Sequence, residues 1–530
     1  MNALRIKRYW VGAVTVVVLV VGIPVSVIAS GMMSMPASSG PGPESVIMPL
    51  ALNAPHRKNA ESNHESSPYE GRPDTITVDE PKHISRADDA RPYEAGVVKS
   101  APAEPQTLGP GEPGKDYIPV IVPNGTTLPW KVIDGVKVFH LIAESIKHEV
   151  APGLVITAYG YNGQTPGPVI EVVEGDRVRF YVTNRLPEKT SIHWHGILLP
   201  NGMDGVSGLN QEGIKPGETY KYEFTIRQHG TNMYHPHFDE MTQINMGMMG
   251  MIVMHARKPQ GPIIDRDFAY MLNEWAITAG TSRPNPSEMS DFNILTFNGK
   301  SSPGTAPLVA KTGDRVRLRF GNLGPMNHHP IHLHGFQFKI TGTDGGDIDP
   351  AAQWPETTAL VPVGSTRALE FVADAPGDWA LHCHMTHHIM NQMGHGLPNM
   401  LGIDPTGFDA RMQRLLPDYM TMGVHGMGEM GEMGMQVPEN SIPMQGSEGP
   451  HGYIDMGGMF TVLKVRDQLT SYDDPGWYQQ PVGTSARAAS PEELLHDGIE
   501  VNAPAKAGMP EGEAQPHKAT PSDSGHHHGQ

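Results

Sequence analysis

Between residues 117 and 467 the chain consists of short apolar segments separated by turn residues. Residues 169–173 and 178–182 are rich in β-branched side chains and are broken by Glu-Gly-Asp. Residues 220–226 and 367–372 alternate between apolar and polar positions. Because side chains on a strand point alternately to opposite faces, this pattern predicts strands that bury one face. Many such short strands predict an all-β fold of the Greek-key sandwich type.

The same sequence landmarks occur twice. Three of them recur in the same order at a nearly constant offset: Gly175–Arg179 and Gly313–Arg317, His193–Gly196 and His332–Gly335, and His235–His237 and His382–His384. Such self-similarity predicts a duplicated domain. We place domain one at residues 117–258 and domain two at residues 262–467.

The segments outside these domains lack this pattern. Basic residues precede an apolar run at 9–29, which predicts export, with residues 1–30 either cleaved as a signal or kept as a membrane anchor. Residues 31–116 are rich in Pro and Ser, and we expect a disordered spacer there. Residues 468–530 read as a disordered tail, ending in His526, His527 and His528, which could bind metal weakly.

Composition narrows the possible functions. Lys and Arg number 39 against 57 Asp and Glu, a net charge of −18, which argues against nucleic-acid binding. The 60 Gly and 49 Pro residues disfavour a helical bundle. A single cysteine excludes an internal disulfide, a zinc ribbon and an iron–sulfur cluster. The 27 His and 31 Met residues are the unusual counts, and both side chains bind copper.

Histidines are concentrated in four short motifs. Residues i and i+2 of a strand share a face, so that each His-x-His sends two imidazoles to one side. The four pairs supply eight imidazoles, which suffice for a multinuclear metal site: His193, His195, His235, His237, His332, His334, His382 and His384.

The last motif predicts a second site. Cys383 lies between two histidines that share a face, so it must point to the opposite face. His388 and Met393 follow it, and His329 precedes another histidine pair. Two imidazoles, a thiolate and a weak axial thioether are the donor set of a blue-copper electron-transfer site, and these donors suit copper better than zinc or iron.

These motifs resemble those of the multicopper oxidase family. The resemblance covers residues 117–467 and implies two cupredoxin-like domains and four copper ions per chain. It implies a type 1 copper, which takes electrons from the substrate, bound by His329, Cys383, His388 and Met393. It also implies a trinuclear cluster that reduces O2 to water, with type 2 copper on His193 and His332 and the two type 3 coppers on His195, His235 and His384 and on His237, His334 and His382.

Domain one departs from the pattern of domain two. Pro236 stands where domain two has its cysteine, and Thr190 stands where it has His329, so only domain two is expected to accept electrons. The stretch between the second and third motifs is too short for a further domain. The chain therefore resembles the two-domain laccase type.

Proton supply is inferred from the same resemblance. Asp204 stands where a family aspartate assists protonation at the cluster. Ile389 occupies the place of an acidic residue that serves similarly in some members. Asp239 and Glu240 are possible substitutes, or simply a solvated pair in a loop.

The expected function is that of an exported, laccase-like multicopper oxidase. Residues 420–435 contain six methionines, and a flexible thioether-rich segment suits Cu(I) capture. We therefore expect Cu(I) or another reducing metal ion as substrate, with phenols second. The alternatives are a two-domain copper nitrite reductase and a copper storage or carrier protein. A second methionine cluster lies within residues 241–254, and its last part, 249–254, mainly indicates a buried strand.

The linker between the domains, at about residues 258–262, is short. One chain can hardly close its own two histidine faces onto each other through so short a linker. A head-to-tail ring solves this problem, and the two-domain laccases that the chain resembles form trimers. We therefore expect a homotrimer with its clusters at the subunit interfaces.

Overall fold

A computed structural model describes residues 108–392, 411, 414–415 and 437–501. These residues belong to one compact unit, residues 94–530. No helix among them is long and apolar enough to cross a bilayer. Several predicted features lie outside the described residues: the signal or anchor, the spacer up to residue 107, Met393, the methionine-rich segment 420–435 and the three terminal histidines.

Domain one is a sandwich of two sheets. Its strands are β1 (Trp130–Ile133), β2 (Val136–Ala151), β3 (Leu154–Tyr161), β4 (Ile170–Val173), β5 (Arg177–Asn184), β6 (His193–His195), β7 (Thr219–Thr225), β8 (Gly230–His235) and β9 (Gly250–His255). The first sheet has the order β1-β2-β5-β7, with β3 paired to β2, and the second has the order β4-β9-β8-β6. A 3-10 turn (Asn201–Met203) and the short helix α1 (Glu240–Asn245) lie in the connections.

Domain two is built in the same way. Its strands are β10 (Arg266–Trp275), β11 (Ile294–Phe297), β12 (Leu308–Lys311), β13 (Arg315–Asn322), β14 (His329–Leu333), β15 (Phe338–Thr343), β16 (Gly346–Asp347), β17 (Trp354–Glu356), β18 (Thr358–Val361), β19 (Ser365–Val372), β20 (Gly377–Cys383), β21 (Ser447–Gly449), β22 (Gly452–Ile454) and β23 (Phe460–Arg466). One sheet runs β11-β10-β13-β19-β15-β16, with β17 paired to β15. The other runs β12-β23-β20-β14-β18, and β21 and β22 form a separate hairpin.

The predicted duplication is visible in the topology. The order β2-β5-β7 of domain one matches β10-β13-β19 of domain two, and β4-β9-β8-β6 matches β12-β23-β20-β14. The directions also agree, since the first pair of each series is parallel and the following pairs are antiparallel. Neighbours in the sheets are not consecutive in the chain, as in a Greek key. The predicted all-β fold is confirmed.

Hydrophobic alternation positions the histidines. Buried and half-buried residues alternate along the whole of β5, which places Val178, Phe180 and Val182 in the core between the sheets. The same rule applies to the metal motifs. Trp194 and Leu333, the middle residues of their His-x-His pairs, are both buried in a hydrophobic core, so their histidine neighbours face out of the sandwich.

The two sandwiches pack against each other through an apolar interface. It joins Met233, Met249 and Met251 of domain one to Ala269, Met271 and Leu323 of domain two. The strand predicted from the second methionine cluster is confirmed, since β9 is buried along almost its whole length. Methionine side chains fill irregular gaps of this kind well.

A buried ion pair of domain two lies at the same interface, and its arginine also bonds to domain one. Arg319 of β13 donates through Nε and Nη2 to the two carboxylate oxygens of Asp267, at 2.8 Å each. Its third nitrogen, Nη1, donates to the Thr231 hydroxyl of domain one at 2.7 Å. Thr366 of domain two donates to the Thr231 carbonyl at 2.7 Å. These contacts fix how the two domains are oriented within one chain.

The structure differs from the sequence prediction after Asp467, where a disordered tail was expected. Residues 468–501 are described, and the first part of this segment packs on domain two. Lys464 bonds to Asp474 at 2.6 Å and lies 4.6 Å from the ring centroid of Trp477. The backbone N–H of Tyr478 donates to Asp378. These aromatic and charged contacts have no sequence periodicity, so a pattern search does not find them.

We expect Asp267→Asn to destabilise the protein by about 3–5 kcal/mol, because Arg319 would remain buried without its anionic partner. The midpoint of urea unfolding measures this loss. The control is the double variant Asp267→Leu/Arg319→Met, which removes both charges and should recover much of the stability. A single variant as stable as the parent would show that the pair does not hold the interface.

Candidate metal centres

The predicted blue-copper donors converge in domain two. His329 begins β14 and Cys383 ends the neighbouring strand β20, while His388 lies in a 3-10 turn, Thr386–Ile389. The Nδ1 atoms of the two imidazoles are 3.2 Å apart. The Cys383 Sγ lies 3.8 Å from the first and 3.4 Å from the second. The structure thus brings together three of the four predicted ligands, while Met393 lies outside the described residues.

These three side chains are buried. Burial raises the pKa of the Cys383 thiol to about 12 and lowers the pKa of the His388 imidazole to about 4. Burial likewise lowers the pKa of His329 well below its usual value. The imidazoles are therefore neutral and ready to coordinate, whereas the thiol needs a bound cation to ionise. A soft thiolate beside two neutral imidazoles fits copper.

A buried asparagine holds the turn that carries His388. Asn391 accepts hydrogen bonds from the Ser301 hydroxyl and the Gly458 backbone N–H at 2.5 and 3.0 Å. Its amide donates to the carbonyl of Ser302 at 3.2 Å. The N–H of Met459 also donates to the His388 carbonyl at 2.9 Å. Nothing in the local sequence marked Asn391, because its partners are far away along the chain.

The equivalent place in domain one is filled by a hydrogen bond. Thr190 and Gln243 are both fully buried, and the Thr190 hydroxyl donates to the Gln243 side-chain oxygen at 2.7 Å. The Gln243 amide donates to the Lys189 carbonyl at 2.8 Å. Thr190 was predicted from the repeat to replace a ligand, but Gln243 was not, since it lies on α1, which has no close counterpart in domain two. This pair leaves no thiolate or imidazole there for a metal.

Four histidines form a first group at one end of domain one, the first quartet: His193, His195, His235 and His237. His193 and His235 are cross-strand partners on β6 and β8. The ring of His193 lies 5.7, 5.3 and 5.6 Å from the other three rings, centroid to centroid. Ligand atoms of His193, His195 and His235 lie within 4.8 Å of one another. The first two predicted pairs therefore face one common space.

The second quartet occupies the equivalent place in domain two: His332, His334, His382 and His384. His332 and His382 are cross-strand partners on β14 and β20. The ring of His332 lies 4.8, 5.7 and 5.5 Å from the other three rings. The side chains of His334 and His384 are exposed. This group therefore faces out of the domain.

Backbone carbonyls set the tautomers of several of these imidazoles. A carbonyl can only accept, so each Nδ1 beside one carries the proton. His193 donates to the Asp204 carbonyl at 2.8 Å, and His332 donates to the Thr357 carbonyl at 2.7 Å. His235 and His382 donate in the same way to the residue that follows each of them. These bonds hold the rings in place and leave each Nε2 free to coordinate a metal ion. The outer hydrogen-bond partners of metal-binding histidines act in this way.

In the described part of the chain, no ring contact joins a histidine of one quartet to a histidine of the other. Among the described residues, the ring contacts of the eight quartet histidines stay within their own quartet. The eight predicted cluster ligands are thus divided into two sets of four.

Two carboxylates border the first quartet. Asp204 Oδ1 lies 3.7 Å from His193 Nδ1. Glu240 lies 3.5 Å from His235 Nδ1 and 3.7 Å from His237 Nε2. Asp239, the other predicted substitute, has a left-handed backbone and precedes α1. Of the three predicted acidic residues, Asp204 and Glu240 therefore lie within 4 Å of imidazoles of the first quartet.

Known proteins share these features. Family models described as multicopper oxidase match residues 144–259 and 277–400. Copper resistance protein A of Escherichia coli is 33% identical over 238 residues, covering 36% of this chain and 39% of that protein. Multicopper oxidase MmcO of Mycobacterium tuberculosis is 28% identical over 257 residues, covering 42% and 49%. The match thus spans less than half the length of these relatives.

A solved structure of a blue copper oxidase from Nitrosomonas europaea is 25% identical and covers 68% of this chain and 93% of its own, with a TM-score of 0.47. The two matched family models include all the described histidine motifs, one set in each sandwich. With the thiol and imidazole donors converging as the motifs require, the chain belongs to the multicopper oxidase family.

Proposed function

We propose that this protein is an exported oxidase that couples one-electron oxidation of a reducing substrate to the four-electron reduction of O2 to water. One observation carries the proposal. The Cys383 thiol faces His329 and His388. Its chain neighbours, His382 and His384, belong to the second quartet. Copper supplies one-electron transfer at the first site and O2 reduction at the second.

The chain itself does three things in this reaction. It buries the three donors of the first site, which keeps the imidazoles neutral and excludes water. It joins the two sites covalently through the backbone of Cys383, which provides the short path for electrons. It also orients the quartet imidazoles through carbonyl partners such as those of Asp204 and Thr357.

The cluster is assembled between chains. We propose a homotrimer in which the first quartet of one chain meets the second quartet of the next. The separation of the quartets within a chain supports this arrangement. The bonds from Arg319 and Thr366 of domain two to Thr231 of domain one also support it, since they resist the domain rotation that would bring the two quartets of one chain together. Head-to-tail contacts of this kind close into a ring when the rotation fits.

The alternatives account for fewer of the observations. A two-domain copper nitrite reductase needs its blue-copper ligands in the first domain, where the Thr190 and Gln243 pair fills the space. A storage or carrier protein needs no thiolate buried between two imidazoles, nor two quartets with fixed tautomers. The oxidase uses both features.

A reducing metal ion, Cu(I) first, is the proposed substrate, with phenols second. The similarity to proteins named for copper resistance supports a role in copper handling. Met385 is exposed, and its carbonyl accepts from the N–H of His388, so a thioether lies on the surface beside the first site. The methionine-rich segment 420–435 supplies more thioethers close by in the sequence.

Oxygen uptake by the copper-loaded protein tests the function and the substrate together. We expect uptake with Cu(I) to exceed uptake with Fe(II), Mn(II) or a phenol. Deletion of 420–435 should depress the Cu(I) rate far more than the phenol rate, because only the metal ion needs thioether capture. Equal losses of the Cu(I) rate and the phenol rate would indicate a structural role for the segment.

Cys383→Ser is the control variant for this experiment. A hydroxyl cannot replace the soft thiolate, so the blue absorption and all substrate oxidation should disappear while the quartets still bind copper. About four coppers per parent chain are expected, against two for a nitrite reductase. A serine variant that remained blue and active would contradict the assignment of the first site.

Asp204→Asn should slow O2 reduction by about 10²–10⁴-fold while every copper remains bound, because the amide keeps the shape but cannot supply a proton. Glu240→Gln is the matched comparison, since that side chain borders the same quartet from the other side. Rapid mixing of the reduced protein with O2 measures the step directly. An unchanged rate across a range of pH would exclude the proposed role of Asp204.

Dissociation of the assembly tests the shared cluster. Separated chains should lose the copper bound by the quartets and stop consuming O2, yet keep the blue band, because each chain holds its own first site. Light scattering with copper analysis on the same fractions measures both properties. A monomer that holds four coppers and consumes O2 would refute the shared arrangement.

A further inference from the structure

The described C-terminal segment, residues 481–501, forms an arm with its own local structure. The arm contains the helix α2 (Pro491–His496), which begins with a capping box: the Ser490 side chain accepts from the Glu493 N–H, and the Glu493 side chain accepts from the Ser490 N–H. Gly498 has a positive φ of 68°, and the Ile499 N–H donates to the Leu494 carbonyl, which closes the helix. So short a helix depends on such caps, since its sequence alone supports little helicity.

The arm exposes apolar side chains. Val482, Leu495, Ile499 and Val501 are 105%, 83%, 56% and 71% exposed. In the part of the chain that the structure describes, the hydrogen bonds of residues 481–501 join the arm only to itself. A helix that carries exposed apolar side chains can dock by laying them in an apolar groove of a partner.

Domain one has an open groove of suitable chemistry. Its volume is about 570 Å³, and it lies on the outer face of the β1-β2-β5-β7 sheet. Its apolar lining includes Trp130, Ile133 and Val138. Basic side chains border it, among them Lys131 and Arg179. Arg179 is already paired with Glu223 at 2.6 Å, so Lys131 is the cation best placed to meet a new partner.

The charge of the arm is opposite to that of the groove. Its carboxylates are Glu492, Glu493, Asp497 and Glu500, and its one cation, Arg487, is paired with Glu493. The acidic residues flank the apolar pair Leu494 and Leu495 on both sides in the sequence. The arm, which is apolar with acidic residues beside it, is therefore complementary to the groove, which is apolar with basic residues beside it.

We propose that the arm of one chain docks in the domain-one groove of the next chain, with Leu495 in the apolar lining and Glu492 towards Lys131. This inference rests on the proposed head-to-tail assembly, which supplies the second copy. The arm follows directly from domain two, and in that assembly domain two of one chain lies against domain one of its neighbour. The arm thus adds a second contact between neighbouring chains, on the sheet of domain one that does not carry the first quartet.

A photo-reactive benzophenone amino acid at position 495 of the full-length, copper-loaded protein tests the docking. Chains labelled with ¹⁴N and ¹⁵N are mixed, allowed to exchange and irradiated, and the linked peptides are identified by mass spectrometry. We expect links from position 495 to the peptide that holds residues 129–140, half of them between chains of different isotope. The same probe at Leu209, which is 78% exposed elsewhere on domain one, is the control and should give no such link.

Charge reversal provides a second measurement. Lys131→Glu should lower the yield of the link by about twofold to fivefold, as expected for an exposed ion pair, and Glu492→Lys on the same chain should restore it. Links only within one chain, links to another surface, or no links would each overturn the inference. If light scattering still shows the copper-loaded assembly in those cases, the proposed function stands without the arm. A copper-loaded monomer would instead refute the assembly itself.

Discussion

The alternation of side chains on one β-strand is the constraint on which this molecule depends. Cys383 lies between His382 and His384, and the strand sends the thiol to one side and the imidazoles to the other. The thiol therefore joins a buried site with His329 and His388, while its neighbours join the second quartet, in which His334 and His384 are exposed. The Cys383 site and the second quartet are therefore joined by a few covalent bonds of one strand. No other structural element is needed to fix the distance between them.

The duplicated fold determines how much of this arrangement each domain retains. Both sandwiches have the same strand order, so each places a histidine quartet at the same end. Only domain two keeps the buried thiol. In domain one Thr190 and Gln243 satisfy each other in the corresponding space, which avoids the cost of a buried polar group without a partner. The loss of one metal site is thus compensated within the core.

The packing of the two domains places the quartets apart. Methionines from both sandwiches fill their interface, and Arg319, paired with Asp267 of its own domain, bonds across it to Thr231. These contacts favour one orientation of the domains, in which no ring contact joins the described histidines of one quartet to those of the other. The proposed assembly between chains is consistent with this packing, and the proposed docking of the C-terminal arm would add a further contact between chains.

Local chemistry in the sequence determined the strand pattern, the duplication and the identity of the metal donors, because i, i+2 spacing is enough to assign side chains to faces. It also predicted that domain one lacks a ligand at Thr190. The tertiary structure decided what depends on residues far apart in the chain: the Gln243 partner of Thr190, the carbonyl of Thr357 that orients His332, and the folding of residues 468–480 onto domain two. Such contacts join groups whose separation in sequence carries no periodic signal, so only the folded chain brings them together.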